Sequence, residues 1–511
     1  MLSSGESLAQ KFVNKWFWLY LFTFFIWPLG YLVKVLITRD LSVEEVGMLY
    51  GTLSFVMLLS TYSDFGCTDS LAYFLPRHIV KKEYGKVKYL IQIVFFFQII
   101  TSIVIYSILF FIAPWLSLHY FKADISDLLH IAWLFFIGIN LLHIATAFFT
   151  SVQDTKLQKW TELVRIWATA TGTCILFFWD FGSLEKYLIV WIGWLIMGIL
   201  FSMIYMAKKY YLPYFWSIPI VKDTSLRRAF FSYSLATLFT ANITMVLSQI
   251  DMQLIIYFLW ARDVGFYSTY LSLIGIPFFI LTPIIGFIFP VISELSWRWE
   301  ESKIQELVLR FWKYFGIIGI WTWVFLFQFS ESLSIFFFGE RFRESWEILA
   351  FSAPFIIFNF LVQISFQVLA GTGHIRKRAE ILGIVLIINT ILNIILIPLL
   401  GTKWAALAVS LSWIPLYYMG AKATKLSLPI FGDKEWYKNL GVALFTYVII
   451  FFTLKSGGFT IISINLILAI LVYMIIFILT NLAMIQDMIL TVQNVRRKTG
   501  KIPSPDISLP L

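Results

Sequence analysis

Two ionisable residues interrupt otherwise apolar runs of this chain. Lys34 stands in a run that begins near residue 14, and Asp251 in one that ends near residue 258. A charge at the centre of a bilayer costs about 2.5–3.5 kcal/mol on insertion scales, so it persists where it is paired or used. An ammonium so placed attracts an anionic ligand, and a carboxylate balances it or binds a coupling cation. A structural Lys34–Asp251 salt bridge, or Lys34 stretching its stem toward the interface, accounts for the same residues. Gln249 and Asn242 share the run of Asp251 and offer hydrogen bonds to a hydroxyl-rich ligand. Asp64, in Asp64-Phe65-Gly66, could pair with a basic residue or help gate a cavity; a cap or hinge at a glycine bend is the plainer role. Arg39 and Arg262 stand just beyond apolar runs, where they either guide an anion or anchor the chain in the interface. Asn389 and Asn393, one turn apart, read as a link between helices, and His143 as a packing residue. Cys67 and Cys174 have neither metal-ligand spacing nor a disulfide framework. The sequence calls for no metal, no cofactor and no nucleotide-binding loop.

The elements that position these residues follow from composition. The 511 residues are 60% hydrophobic and 13% charged, against roughly 25% charged in a soluble domain. The apolar residues arrive in unalternating runs of roughly 20 to 25, long enough to cross a ~30 Å hydrocarbon core as helix. Backbone groups in lipid must bond internally, and the absence of alternation excludes a barrel. Fourteen spans are expected, at 14–37, 44–66, 86–112, 126–150, 157–179, 184–207, 229–258, 264–290, 307–329, 345–370, 378–400, 403–421, 436–454 and 459–483. The second and eighth continue toward Pro76 and Pro290. The first run lacks a small-residue cleavage signature and stays as helix. The stretch after about Asn494 reads as a disordered tail.

The net charge of +10 sits in short clusters between spans, which topology explains better than nucleic acid does. Thirty of the 39 Lys and Arg fall in alternate connections on one side, and eight on the other; Lys34 is the remaining one. Both termini are therefore expected in the cytoplasm of a multi-pass inner-membrane protein. Arg39 and Arg262 then lie at the outer mouths of their helices. The clusters Arg77/Lys81/Lys82 and Arg376/Lys377/Arg378 lie inside.

The two halves match at an offset near 218 residues. Glu45-Val46-Gly47 and Leu53-Ser54 align with Asp263-Val264-Gly265 and Leu271-Ser272. Leu157, Lys159, Glu162 and Ile166 align with Ile375, Lys377, Glu380 and Ile384, and Gly182 with Gly401 one residue further on. Lys34 maps beside Asp251, so the two charges occupy nearly equivalent depths. An even number of spans per repeat keeps both halves in one orientation. The expected fold is all-α: fourteen transmembrane helices, two parallel six-helix repeats around a central cavity, and two appended C-terminal helices. The lobes are 1–215 and 216–425, the appendage 426–490 and the tail 491–511.

Leu41-Ser42-Val43-Glu44-Glu45-Val46-Gly47, Asp64-Phe65-Gly66 and Leu75-Pro76-Arg77 together resemble the polysaccharide-exporter family, within the multidrug/oligosaccharidyl-lipid/polysaccharide exporter superfamily. Asp263-Val264-Gly265-Phe266-Tyr267, Phe289-Pro290-Val291-Ile292-Ser293 and Leu369-Ala370-Gly371-Thr372-Gly373 extend the resemblance over roughly residues 10 to 423.

The resemblance implies a flippase, not an enzyme. It would carry undecaprenyl-pyrophosphate-linked oligosaccharide to the outer leaflet by alternating access, ahead of assembly into O-antigen or capsule-like polymers. Lys34 would then attract the pyrophosphate, with Asp251, Gln249, Asn242, Asp64, Arg39 and Arg262 along the substrate's route. Partners implied are the lipid-linked glycan, membrane lipids and polymer-assembly membrane proteins, with no nucleic acid. A cation-coupled multidrug exporter and a lipid II flippase of the same superfamily are the alternatives. A membrane polymerase would need a large outer loop, and a channel a filter repeat; the sequence has neither.

Overall fold

The computed structural model describes residues 8–152, 154–241, 243–425, 433–453 and 459–487. Asn242 and the expected tail after about Asn494 lie outside them. The described residues form helices and no strand. In chain order these are α1 (Leu8–Asp40), α2 (Val43–Ser63), α3 (Cys67–Val80), α4 (Tyr84–His119), α5 (Ser126–Ser151), α6 (Thr155–Phe178), α7 (Leu184–Met206), α8 (Thr224–Ala241) and α9 (Ile243–Phe258). They continue with α10 (Ala261–Trp297), α11 (Glu301–Phe338), α12 (Ser345–Ser352), α13 (Ile356–Gly371), α14 (Ile375–Leu400), α15 (Thr402–Ala423), α16 (Lys434–Thr453) and α17 (Phe459–Thr480).

Each of the fourteen expected spans coincides with one helix or with a broken pair. Ten of the described helices are long and apolar enough to cross a membrane, eleven if α10, bent by 56°, is one span. The others are less apolar or shorter: α6 carries Lys156, Lys159, Glu162 and Arg165, and α9 has only 16 residues. Phe111, Phe178 and Phe452 stand largely exposed, as side chains facing acyl chains would.

Local chemistry sets the boundaries. Ser42 and Glu45 form a reciprocal capping box that starts α2. Ser183 caps α7, and Asp154 caps α6 through the Leu157 amide at 3.1 Å. The second span is not continuous. It breaks after Ser63, where Phe65 (φ 50°) and Gly66 (φ 72°) are left-handed, and α3 restarts at Cys67. The tenth span is likewise divided by a 3₁₀ turn, Ala353–Phe355, that contains Pro354.

The described residues gather into two compact units. One runs to Gln249 and takes in Trp260–Arg262; the other holds Ile250–Leu259 and the chain from Asp263 onward. In the first unit α1 packs on α6, α5 on α4 and α7, α6 on α7, and α3 on α8. An apolar core in it joins Cys67, Leu71, Val87, Phe148, Phe215 and Phe230. In the second, α14 packs on α15, α12 and α13 on α11 and α15, and α16 and α17 on α11. The 218-residue offset reappears in the helix starts. Val43 and Ala261, Tyr84 and Glu301, Ser126 and Ser345, and Leu184 and Thr402 are 217 to 219 residues apart. It reappears in side-chain geometry too: Lys159–Glu162 at 2.6 Å and Lys377–Glu380 at 2.9 Å are the same i,i+3 ion pair one repeat apart.

Candidate functional site

Lys34 lies in the membrane-spanning part of α1 and is 6% exposed. Its Nζ sits 3.0 Å from the centre of the Tyr50 ring on α2, a cation–π contact that replaces part of the lost hydration. Trp191 of α7 packs edge-on against that ring, 5.8 Å between centroids. Thr38, one turn further along α1, closes its hydroxyl onto the Lys34 carbonyl at 3.0 Å. One turn beyond Tyr50, Ser54 donates to Gln249 Oε1 at 2.6 Å. Residues four apart share a helix face. A single face of α2 therefore holds the ammonium and the Gln249 amide in neighbouring positions.

Asp251 lies on α9, in the second unit, and is 4% exposed. Asn393 of α14 donates to its Oδ1 at 2.6 Å and to Asn389 Oδ1 at 3.1 Å. The Tyr267 hydroxyl of α10 lies beside the same carboxyl. Asn393 Oδ1 is buried without a hydrogen-bond partner. A carboxylate with amide oxygens around it, one of them unsatisfied, suits a proton or a small monovalent cation. Among the described residues no group of three His, Cys, Asp or Glu could hold a metal ion.

Asp64 is 8% exposed, at the C-terminal end of α2. It accepts from the Thr68 hydroxyl at 2.7 Å, from the Thr68 amide at 3.0 Å and from Gln98 Nε2. Bonded this way, the carboxylate bridges the break and restarts the chain as α3. Asn140 of α5 donates to Ser63, the residue before Asp64, and to Ser102, at 3.0 Å each. Arg39 and Arg262 are both exposed, in the last turn of α1 and the first turn of α10.

The structure thus joins Lys34 to Tyr50, Gln249 to Ser54, and Asp251 to the Asn389/Asn393 pair. Sequence reasoning missed Tyr50, Ser54 and Tyr267 as partners. The Asn-x-x-x-Asn spacing was a visible signal, but nothing in it pointed across 142 residues to Asp251. A polar cavity of about 320 Å³ also opens at the first turns of α2, α5 and α7. Glu45, Asp124, Asp127 and Glu185 line it, so its wall is acidic.

Among solved structures, a lipid II flippase in an inward closed conformation superposes with TM-score 0.71 at 17% identity, covering 91% of this chain and 99% of that one. An inward-facing multidrug resistance transporter of the MATE family, described as of the MOP superfamily, superposes with TM-score 0.61 at 12% identity, over 83% and 95% of the two chains. At these identities the likeness concerns the fold. In sequence, an uncharacterized membrane protein of Methanocaldococcus jannaschii is 24% identical over 87% of this chain and 90% of its own. A probable low-salt glycan biosynthesis flippase of Haloferax volcanii is 28% identical over 36% of this chain and 39% of its own. A teichuronic acid biosynthesis protein of Bacillus subtilis is 26% identical over 35% of each. The profile of the family described as polysaccharide biosynthesis protein matches residues 12–296. With that match over more than half its length, this multi-pass membrane chain belongs to the polysaccharide biosynthesis protein family.

Proposed function

We propose that the protein is a flippase for a lipid-linked glycan. It moves a polyprenyl-pyrophosphate-linked oligosaccharide, with undecaprenol as the carrier, from the inner to the outer leaflet of the cytoplasmic membrane by alternating access. The polymer it serves is of the O-antigen or capsule kind. The single observation that carries this reading is Lys34, an ammonium buried in a membrane-spanning helix and held against an aromatic face. A cation kept there against a cost of several kcal/mol is suited to a pyrophosphate. Hydrogen-bonding groups such as Gln249 suit the sugar hydroxyls. Asp251, with Asn389 and Asn393, is the seat of the coupling cation, so that transport draws on an ion gradient. Family membership and the names of the Haloferax and Bacillus relatives support the glycan.

The test is reconstitution into vesicles with a fluorescent prenyl-pyrophosphate sugar, comparing the wild type with Lys34→Ala. The expected result is inward-to-outward movement of the lipid by the wild type and its loss in the variant. If neither protein moves the lipid and both extrude cationic dyes, the chain is a multidrug exporter and the flippase reading is wrong.

A further inference from the structure

Residues 207–223 join α7 to α8, and the helix widens to π turns over Ala207–Phe215 with Pro213 inside. The segment is pinned to the first unit. Lys209 and the Tyr210 hydroxyl reach Asp154 Oδ2 at 2.5 and 2.6 Å. Phe215 is buried against Tyr84, and Lys88 donates to the Phe215 and Ile218 carbonyls at 3.4 and 3.3 Å. The Val221 amide bonds the Gly85 carbonyl at 3.3 Å.

What the pinning leaves outside is of two kinds. Leu212, Tyr214 and Trp216 are 55%, 55% and 67% exposed. Lys208, Lys222, Arg227 and Arg228 are exposed as well. Their neighbours Lys86 and Lys209 are ion-paired with Asp223 and Asp154, and Lys88 is hydrogen-bonded to backbone carbonyls. Among the described residues these four cations have no ion-pair or hydrogen-bond partner of their own. Topology requires basic residues in such a connection, but it does not require them interleaved with exposed rings on a segment held rigid. Tyr and Trp sit at headgroup depth because one end of each is apolar and the other polar. Each Lys or Arg near an anionic leaflet strengthens binding roughly fivefold.

We infer that residues 207–228 form an interfacial strap that binds anionic phospholipid, with the rings among the upper acyl segments and the four cations on headgroup phosphates. The full chain in detergent is titrated with phosphatidylglycerol or phosphatidylcholine, and bound lipid is counted by native mass spectrometry. Phosphatidylglycerol binds at least about tenfold more tightly than phosphatidylcholine, and the preference shrinks as salt shortens the Debye length. Inorganic phosphate does not displace the lipid. Lys208→Gln/Lys222→Gln/Arg227→Gln/Arg228→Gln abolishes the preference, and Trp216→Ala weakens both lipids alike. A charge-matched control, Lys81→Gln/Lys82→Gln/Arg376→Gln/Lys425→Gln, keeps it. Equal binding of the two lipids by the wild type overturns the strap, as does a preference indifferent to salt, one retained by the first quadruple variant or lost in the control. Displacement by inorganic phosphate makes it a phosphate site instead.

Discussion

Asn393 Nδ2 donates to Asp251 Oδ1 at 2.6 Å, tying α14 to α9 through two residues that are 0% and 4% exposed. The amide supplies one donor to the carboxylate and leaves its own oxygen unsatisfied. That arrangement makes the coupling reading specific. Asp251→Asn keeps the volume and removes the charge, so lipid movement in vesicles should lose its dependence on an imposed cation gradient. Asn393→Ala should keep that dependence with a severalfold lower rate, and destabilise the fold by about 0.6–1.7 kcal/mol, the range for hydrogen bonds between membrane helices. Unaltered gradient dependence in Asp251→Asn would remove Asp251 from the coupling.

Lys34 allows stability and transport to be separated. Lys34→Met preserves the stem and drops the buried charge, so it should raise the melting temperature in detergent, as replacement of buried ionic groups often does. The same variant should lower flipping of a pyrophosphate-linked sugar by at least about tenfold, which corresponds to about 1.4 kcal/mol of lost attraction. Lys34→Arg should retain most of the activity. A Lys34→Met protein that is more stable and equally active would show that the ammonium is structural.

The all-helical membrane fold was legible because lipid enforces one pattern, apolar helix, over every crossing, and ten or eleven of the described helices are long and apolar enough to cross. The break at Asp64-Phe65-Gly66 was legible too, since a glycine beside a capping carboxylate marks a bend. The partner sets were not. Tyr50 lies 16 positions from Lys34, and Ser54 lies 195 from Gln249, so each pairing depends on how helices rotate about their axes. An apolar run with hydrophobic residues on every side carries little information about that rotation. The π-helical strap escaped for another reason: Lys208 and Lys209 look alike in sequence, and only Asp154, 55 residues away, distinguishes the paired cation from the unpaired one.

Gly66 tests the break itself. Its φ of 72° is left-handed, and an added Cβ would collide with the Ser234 carbonyl and the Thr237 hydroxyl of α8. Gly66→Ala should destabilise the first unit by about 1–3 kcal/mol through strain and forced separation of α3 from α8. Thermal unfolding in detergent measures it. Phe65→Gly, which relaxes the adjacent left-handed residue (φ 50°), should cost far less, measured as a smaller fall in melting temperature in the same series.

Asp223 gives a pH dependence outside the membrane-spanning helices. The Ser225 hydroxyl at 2.6 Å and the Leu226 amide at 2.9 Å donate to its carboxylate, and Lys86 lies 3.3 Å away. Together these hold its pKa down to about 2, below the ordinary carboxylate value of about 3.9. A group depressed on folding stabilises the native state above its ordinary pKa, and that contribution disappears as pH falls toward the folded value. The start of α8 should therefore loosen in acid. Hydrogen exchange should show the amides of Leu226 and Arg227 losing protection between about pH 5 and pH 2, after correction for intrinsic rates, while those in the middle of α5 keep theirs. Asp223→Ala should already show the low protection at neutral pH and no further acid step. An acid step of wild-type size in that variant would assign it to another group and remove Asp223 as the cap of α8.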